Sequence, residues 1–184
     1  MKLSARIDPE MRTFTQAEID AYTDENLFTV EVVISLLETV ADTCEFNNYG
    51  PVKIEFWGKD KRLEVDNGID VYFGYFDHLY RPKHIGIQIK VEKIIQGSSA
   101  SLTNSIETIR NQVHKAYQYR FTSPLDNSTQ TCKINGFYLI TSKSVNQGAR
   151  DFYSNDDQFT NLDIIDGGTL VHLIKKYSKE EERR

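Results

Sequence analysis

The first third of the chain has apolar residues at helical spacing. Thr15 and Glu18 have the spacing of a capping box, which predicts that a short helix begins there. A second helix is predicted for about 27–43, and apolar residues cover most of its circumference, as is typical of a buried helix. Gly50 and Pro51 then end this helical unit.

An alternating pattern of apolar and polar residues follows and predicts a sheet. Three strands are predicted first, at 52–57, 69–75 and 84–95, with a polar turn at 58–62 and a loop at 96–99. Further elements are predicted in the order helix, strand, helix, strand, helix, at about 102–116, 136–141, 146–153, 162–165 and 170–177. This order predicts an α/β fold with a mixed central sheet.

Length and composition fit a single globular unit. The chain has 184 residues, of which 39% are hydrophobic and 27% charged, and that length allows a sizeable core. No apolar run approaches the roughly 18 residues that cross a bilayer, and the N-terminus lacks the apolar segment of a secretory signal. Cys44 and Cys132 have the spacing of neither a disulfide framework nor a zinc site. We therefore expect a reduced cytoplasmic protein without a membrane partner.

The net charge of -5 hides an uneven distribution. Residues 1–80 carry 7 basic and 16 acidic side chains, whereas residues 81–150 carry 10 basic and 3 acidic ones. A local basic surface is what a polyanion requires, because neutralisation of phosphates releases their counterions. The alternative is that these charges are scattered over several faces, and the charge count alone does not separate the two.

A polar cluster stands out among the predicted strands. Asp70 follows a glycine turn at the start of one strand, and Gln88 and Lys90 lie two residues apart on the next, so both project from the same face. Polar side chains on an otherwise apolar, central strand are costly unless a partner satisfies them, as a neighbouring acid and a bound cation would. The alternative is that Asp70 caps a turn and that Gln88 and Lys90 form a solvent-facing pair on an edge strand.

These residues resemble the motif of the PD-(D/E)XK nuclease superfamily, and the Gln-x-Lys form resembles the Mrr-type restriction endonuclease domain. The similarity covers about residues 28–177. Its parts, in chain order, are a buried helix carrying a Glu, Gly68-Ile69-Asp70, Gln88-x-Lys90, an apolar strand ending in Thr141, a helix containing Ala149, and Ile165-Asp166-Gly167 before the last helix. The resemblance implies a restriction-endonuclease-like three-layer fold with a central mixed sheet flanked by helices.

The same resemblance sets the expected domain limits. Residues 1–26 form an N-terminal extension with a short helix, and residues 27–178 form the nuclease domain. Residues 179–184 form a charged tail that either frays or leads into a further domain.

The resemblance also implies a role for each site residue. Asp70 is the principal Mg²⁺ ligand, the Gln88 side-chain oxygen a second ligand and the backbone carbonyl of Ile89 a third, with Mn²⁺ able to substitute for Mg²⁺. Lys90 positions or helps to deprotonate the attacking water and stabilises charge that develops on phosphorus.

A helix glutamate is expected as an additional, outer acid of the site. Phe28-x-x-Glu31 matches the family's helix motif better than Glu38, although family members commonly place the Phe directly beside the Glu, so Glu38 stays the alternative. Asp66 is interpreted as a turn residue, with metal contact as the alternative, and Asp166 as a turn residue or helix N-cap.

The resulting hypothesis is a Mg²⁺-dependent endonuclease of the restriction, defence or repair type that hydrolyses DNA. Arg110, Lys115, Lys143 and Arg150 are the candidate DNA-backbone contacts. A homodimer is a reasonable way to cleave both strands, and the chain could be one domain or subunit of a larger defence or repair system. The alternative is a catalytically inactive nuclease-fold module that binds nucleic acid or a protein. The complete Asp70, Gln88 and Lys90 set favours the enzyme, whereas the overall acidity favours the module.

Overall fold

The computed structural model of the chain describes residues 12–43, 46, 48–57, 67–95, 106–125, 129–155 and 161–181. The strands are β1 (Lys53–Phe56), β2 (Val71–Phe76), β3 (Pro82–Lys90), β4 (Phe121–Thr122), β5 (Thr131–Cys132), β6 (Gly136–Thr141) and β7 (Leu162–Ile165). The helices are α1 (Gln16–Asp20), α2 (Glu25–Phe28, Thr29–Ile34 and Ser35–Ala41 in succession), α3 (Ile106–Gln118), α4 (Gln147–Ser154) and α5 (Gly167–Glu181).

A mixed sheet forms the centre of the fold. Its strand order is β1-β2-β3-β6-β7, so β3 is the middle strand, and β4 and β5 pair separately. β1, β2 and β3 are antiparallel to one another, whereas β3, β6 and β7 are parallel. Parallel strands are buried on both faces, which explains the continuous apolar run of β6. The predicted α/β fold with a mixed central sheet flanked by helices is confirmed.

Helices cover both faces of the sheet. On one face, α2 and α5 pack against alternate residues of β3, including Ile87 and Ile89. On the other face, α3 and α4 pack against residues such as Tyr72 and Leu139. Phe14 and Ile19 lie in the first of these layers, although they belong to the predicted N-terminal extension.

The ends of α1 and α2 are set by capping residues. Thr15 and Glu18 form the predicted capping box of α1. The Asp24 side chain caps α2 by accepting hydrogen bonds from two backbone N–H groups, so the helix begins at Glu25 rather than 27. The middle of α2, Thr29–Ile34, is π-helical, a local widening that is frequent at functional sites.

Two strand predictions differ from the structure. β3 ends at Lys90 rather than 95: the Glu92 carbonyl accepts a hydrogen bond from the Thr141 hydroxyl at 2.8 Å, and beyond it an isolated bridge pairs Ile94 with Val145. β4 and β5 were not predicted, since strands of two residues are too short to show alternation. The predicted turn at 58–62 and loop at 96–99 lie outside the described residues. Among the described helices, none combines the length and apolarity needed to cross a membrane.

Candidate functional site

The polar cluster lies at one end of the central sheet. Val71, at the start of β2, pairs with Ile87, and Lys90, at the carboxyl end of β3, pairs with Thr141 at the carboxyl end of β6. Asp70 directly precedes Val71, outside the ladder, and its hydrogen bonds to Ile87 and Ile89 place it beside residues 87–89 of β3. The strand pairing thus brings Asp70, Gln88 and Lys90 to the same end of the sheet.

Asp70 is held on both its backbone and its side chain. Its backbone N–H donates to the Ile87 carbonyl at 2.8 Å, and its carboxylate Oδ2 accepts from the Ile89 N–H at 2.7 Å. Gly68 has φ +74°, and a Cβ there would lie 2.3 Å from the Gln112 carbonyl oxygen, so only glycine fits this turn. The predicted glycine turn therefore presses the segment before Asp70 against α3.

Gln88 is buried with one end of its amide unpaired. The residue is 2% exposed, and its Nε2 donates to Gln112 Oε1 at 2.6 Å. Its Oε1 is buried and has no hydrogen-bond partner among the described residues. Leaving a buried acceptor unsatisfied costs about 1–3 kcal/mol, so this oxygen is suited to a cation or an incoming donor. The edge-strand interpretation of Gln88 and Lys90 is wrong, because β3 is the middle strand.

Lys90 is paired with an acid that the sequence pattern did not indicate. Its side chain is 14% exposed, and its Nζ lies 3.6 Å from Oε2 of Glu25, whose side chain is 42% exposed. Glu25 occupies the first turn of α2. The Asp24-Glu25 pair is itself a helix-start signal, since acids are enriched in the first turn of a helix. The predicted helix start at 27 excluded it.

The two helix acids considered from sequence lie further along α2. The Glu31 carboxylate accepts a hydrogen bond from the Tyr22 hydroxyl at 2.7 Å. Burial and that bond raise the pKa of Tyr22 to about 12. Burial and the neighbouring Asp42 raise the pKa of Glu38. Of these three helix acids, Glu25 is the one paired with Lys90, and a catalytic role for Glu31 stays a prediction.

The four basic candidates for DNA contact have different surroundings. Lys143 follows β6 at the same end of the sheet as Lys90, and its Nζ donates to the Tyr22 carbonyl at 3.4 Å. The Arg110 guanidinium lies 5.8 Å from the ring centroid of Phe152, while Lys115 is exposed. Because five helical residues correspond to about 140° of rotation, Arg110 and Lys115 point to different faces of α3. The scattered-charge alternative therefore applies to at least this pair.

Arg150 and Asp166 form an ion pair with each other. Asp166 also accepts from the Thr169 backbone N–H at 2.9 Å, which makes it the predicted cap of the last helix. Burial alone would raise the pKa of Asp166, but the hydrogen bonds from Thr169 and the charge of Arg150 hold it below its usual value. Asp66 lies outside the described residues.

The oxygen atoms at this end of the sheet fit a hard cation. Asp70 offers a carboxylate, and Gln88 offers an amide oxygen that no other described residue pairs with. Because the N–H and C=O of a strand residue project to the same side, the Ile89 carbonyl faces the same side as its N–H, toward Asp70. Mg²⁺ prefers oxygen ligands, and it is commonly held by one or two carboxylates together with waters and phosphates. No group of three or more His, Cys, Asp or Glu side chains suited to a metal occurs in the described ranges, so a cation held by Asp70 would need neutral oxygens as its other protein ligands.

Comparison with known proteins gives no family assignment. No family model matches the chain, and no curated protein matches it. The chain is similar to a solved structure described as "MspJI Restriction Endonuclease in Complex with 27-mer Oligonucleotide", with 16% identity and a TM-score of 0.41. The similarity covers 94% of this chain and 34% of that one, about a third of its length. A likeness of this size assigns no function.

Proposed function

We propose that this chain is a metal-dependent deoxyribonuclease that hydrolyses DNA phosphodiester bonds at Asp70, Gln88 and Lys90. One observation carries the proposal: the buried Oε1 of Gln88 has no hydrogen-bond partner among the described residues, and it belongs to the strand that holds the Asp70 carboxylate through Ile89 and that ends at Lys90. A polar atom left unpaired in a folded core is rare and calls for an explanation, and a bound cation provides one.

Asp70, Gln88 and the Ile89 carbonyl would hold the cation. When bound, Mg²⁺ or Mn²⁺ would act as a Lewis acid on the phosphate and lower the pKa of a bound water. The Ile89 N–H keeps the Asp70 carboxylate fixed beside β3, so this ligand need not be reorganised. The single carboxylate leaves much of the cation's charge for the DNA phosphate.

Lys90 would act on the reacting phosphate group. Its side chain is largely shielded from solvent and its ammonium lies near Glu25, which limits the positions it can take. From there it can orient the attacking water and stabilise negative charge on the phosphate oxygens. Glu25 would then be the outer helix acid, in place of Glu31 or Glu38.

Binding of DNA would rest on contacts to its phosphates. Lys143 is the best-placed candidate, because it lies at the same end of the sheet as Lys90. Arg110 and Lys115 would contact separate stretches of backbone or a partner subunit. Phosphate contacts carry no base information, so the biological use, restriction, defence or repair, depends on other domains or subunits. Cleavage of both strands would use a homodimer or two encounters.

A cleavage assay with matched lysine variants tests the proposal. The parent, Lys90→Ala and Lys53→Ala are incubated with plasmid and single-stranded DNA under Mg²⁺, Mn²⁺ or EDTA. Lys53 is the control because it is an exposed lysine on β1. It pairs with Gly74 of β2, three residues along that strand from Val71, the β2 residue next to Asp70. We expect cleavage by the parent and Lys53→Ala, none in EDTA, and a loss of about 10²–10³-fold in Lys90→Ala.

Two results would contradict the proposal. If Lys90→Ala cleaved as fast as the parent, the reacting site would lie elsewhere. If the parent bound DNA but cleaved it with neither metal, the chain would be a binding module with a nuclease-like site.

A further inference from the structure

We propose that Gln112 is a positioning residue that orients the Gln88 amide so that its carbonyl oxygen stays available to the cation. This inference rests on the proposed function and deepens it. Gln112 lies on α3, and nothing in the sequence motif includes it.

The direction of one hydrogen bond carries the inference. The two ends of an amide differ, because the NH₂ group only donates and the oxygen only accepts. Gln112 presents its Oε1 to Gln88 at 2.6 Å, and an oxygen can pair only with the NH₂ end of Gln88. In this arrangement the bond takes the NH₂ end of the Gln88 amide and leaves its acceptor Oε1 without a partner among the described residues.

Gln112 also contacts the segment that carries the other proposed ligand. Its backbone carbonyl oxygen lies 2.3 Å from where a Gly68 Cβ would be, two residues before Asp70. Ile109, Val113 and Ala116 are fully buried and anchor α3 against the sheet. One helix position thus contacts Gln88 through its side chain and the Asp70 turn through its backbone.

Rotation of the Gln88 amide by half a turn would exchange its two ends. The NH₂ group would then face the cation position, and a donor with partial positive charge cannot coordinate a cation. Gln112 would therefore set metal affinity without contacting the metal. Residues that orient ligands in this way commonly change metal affinity by about 10–100-fold when replaced.

Two substitutions of Gln112 separate orientation from packing. Gln112→Met has a similar length but no strong acceptor, whereas Gln112→Glu keeps an acceptor for the Gln88 NH₂ group. Gln118→Met is the matched control, since Gln118 lies exposed on the same helix and pairs with His114. By calorimetry with Mn²⁺ and no DNA, we expect about 10–100-fold weaker binding for Gln112→Met. Binding by Gln112→Glu and Gln118→Met should be no weaker than that of the parent.

The orientation itself is read in the metal-free chain by NMR of the Gln88 side-chain NH₂ group, assigned by its absence in Gln88→Leu. We expect two protected proton signals in the parent and Gln112→Glu, and shifted, exchanging signals in Gln112→Met. Unchanged Gln88 signals in Gln112→Met, or unchanged Mn²⁺ affinity, would overturn the role of Gln112. If instead the parent bound no metal and cleaved no DNA, the proposed function would fail, while the NMR signals would still decide whether Gln112 orients Gln88.

Discussion

Gln88→Leu should stabilise the metal-free protein while abolishing its activity. The substitution removes the hydrogen bond to Gln112, which contributes about 1 kcal/mol, and Gln112 is partly exposed and can bond to water instead. It also removes the unsatisfied oxygen, which costs about 1–3 kcal/mol in the parent. Leu has a similar volume, so no large cavity forms. The net expectation is a gain of about 0–2 kcal/mol.

Calorimetric unfolding in EDTA measures this change. For a chain of this size, 1 kcal/mol corresponds to about 2–4 °C in Tm. Mg²⁺ at a hundredfold excess over its Kd should stabilise the parent by about 2.7 kcal/mol and so raise its Tm. The Tm of Gln88→Leu should not change when Mg²⁺ is added. Gln118→Leu, at an exposed site, should stay within about 0.5 kcal/mol of the parent.

A clear loss of stability would refute this reasoning. A fall of more than about 5 °C in the Tm of Gln88→Leu in EDTA would be a loss of stability, since 1 kcal/mol corresponds to about 2–4 °C. The Gln88 oxygen would then have a favourable partner in the metal-free fold. If Gln88→Leu also cleaved DNA like the parent, Gln88 would be an ordinary strand residue.

Other substitutions test the remaining parts of the site. Asp70→Ala should leave the fold intact but abolish cleavage and metal binding, and unchanged Mg²⁺ affinity by calorimetry would place the metal elsewhere. Glu25→Gln should slow cleavage at a saturating metal concentration without weakening DNA binding, as single-turnover rates and fluorescence anisotropy would report. Arg110→Glu and Lys115→Glu should each reduce the salt slope of DNA binding by about 0.9 for every lost phosphate contact, and an unchanged slope would place that residue away from DNA. Folding lowers the pKa of Asp166, so the ionised carboxylate stabilises the fold at neutral pH, and this stabilisation is lost as the pH falls through the pKa of the folded state. In Asp166→Asn the free energy of unfolding in urea should therefore depend less on acid pH.

The positions of the polar residues in the central strands could be predicted from sequence because they depend on local periodicity. Side chains two residues apart on a strand leave from the same face, so Gln88 and Lys90 were predicted together. In the structure Gln88 bonds to α3 and Lys90 reaches Glu25 of α2, and these two helices cover opposite faces of the sheet. The strongly apolar surroundings also indicated a central strand, and β3 is the middle strand of the sheet.

Contacts between distant elements could not be predicted in this way. Glu25 approaches Lys90 across 65 residues of sequence, and Gln112 approaches Gln88 across 24. A polar residue on an amphipathic helix has the same local pattern whether it faces water or another polar side chain. The charge count likewise identified a basic segment but not the separate faces of Arg110 and Lys115.

The parallel pairing of β3 with β6 has a consequence for the order of folding. β2 and β3 form a hairpin with a short loop, so Asp70, Gln88 and Lys90 can meet at an early stage, whereas 45 residues separate β3 from β6. Pairing across that longer segment carries a larger loop-closure entropy and slows folding. Gln112 lies on the helix between β3 and β6, so the orientation of the Gln88 amide depends on docking of that helix and not on the hairpin alone. The hairpin by itself would therefore bring the proposed ligands together without the contact that orients the Gln88 amide.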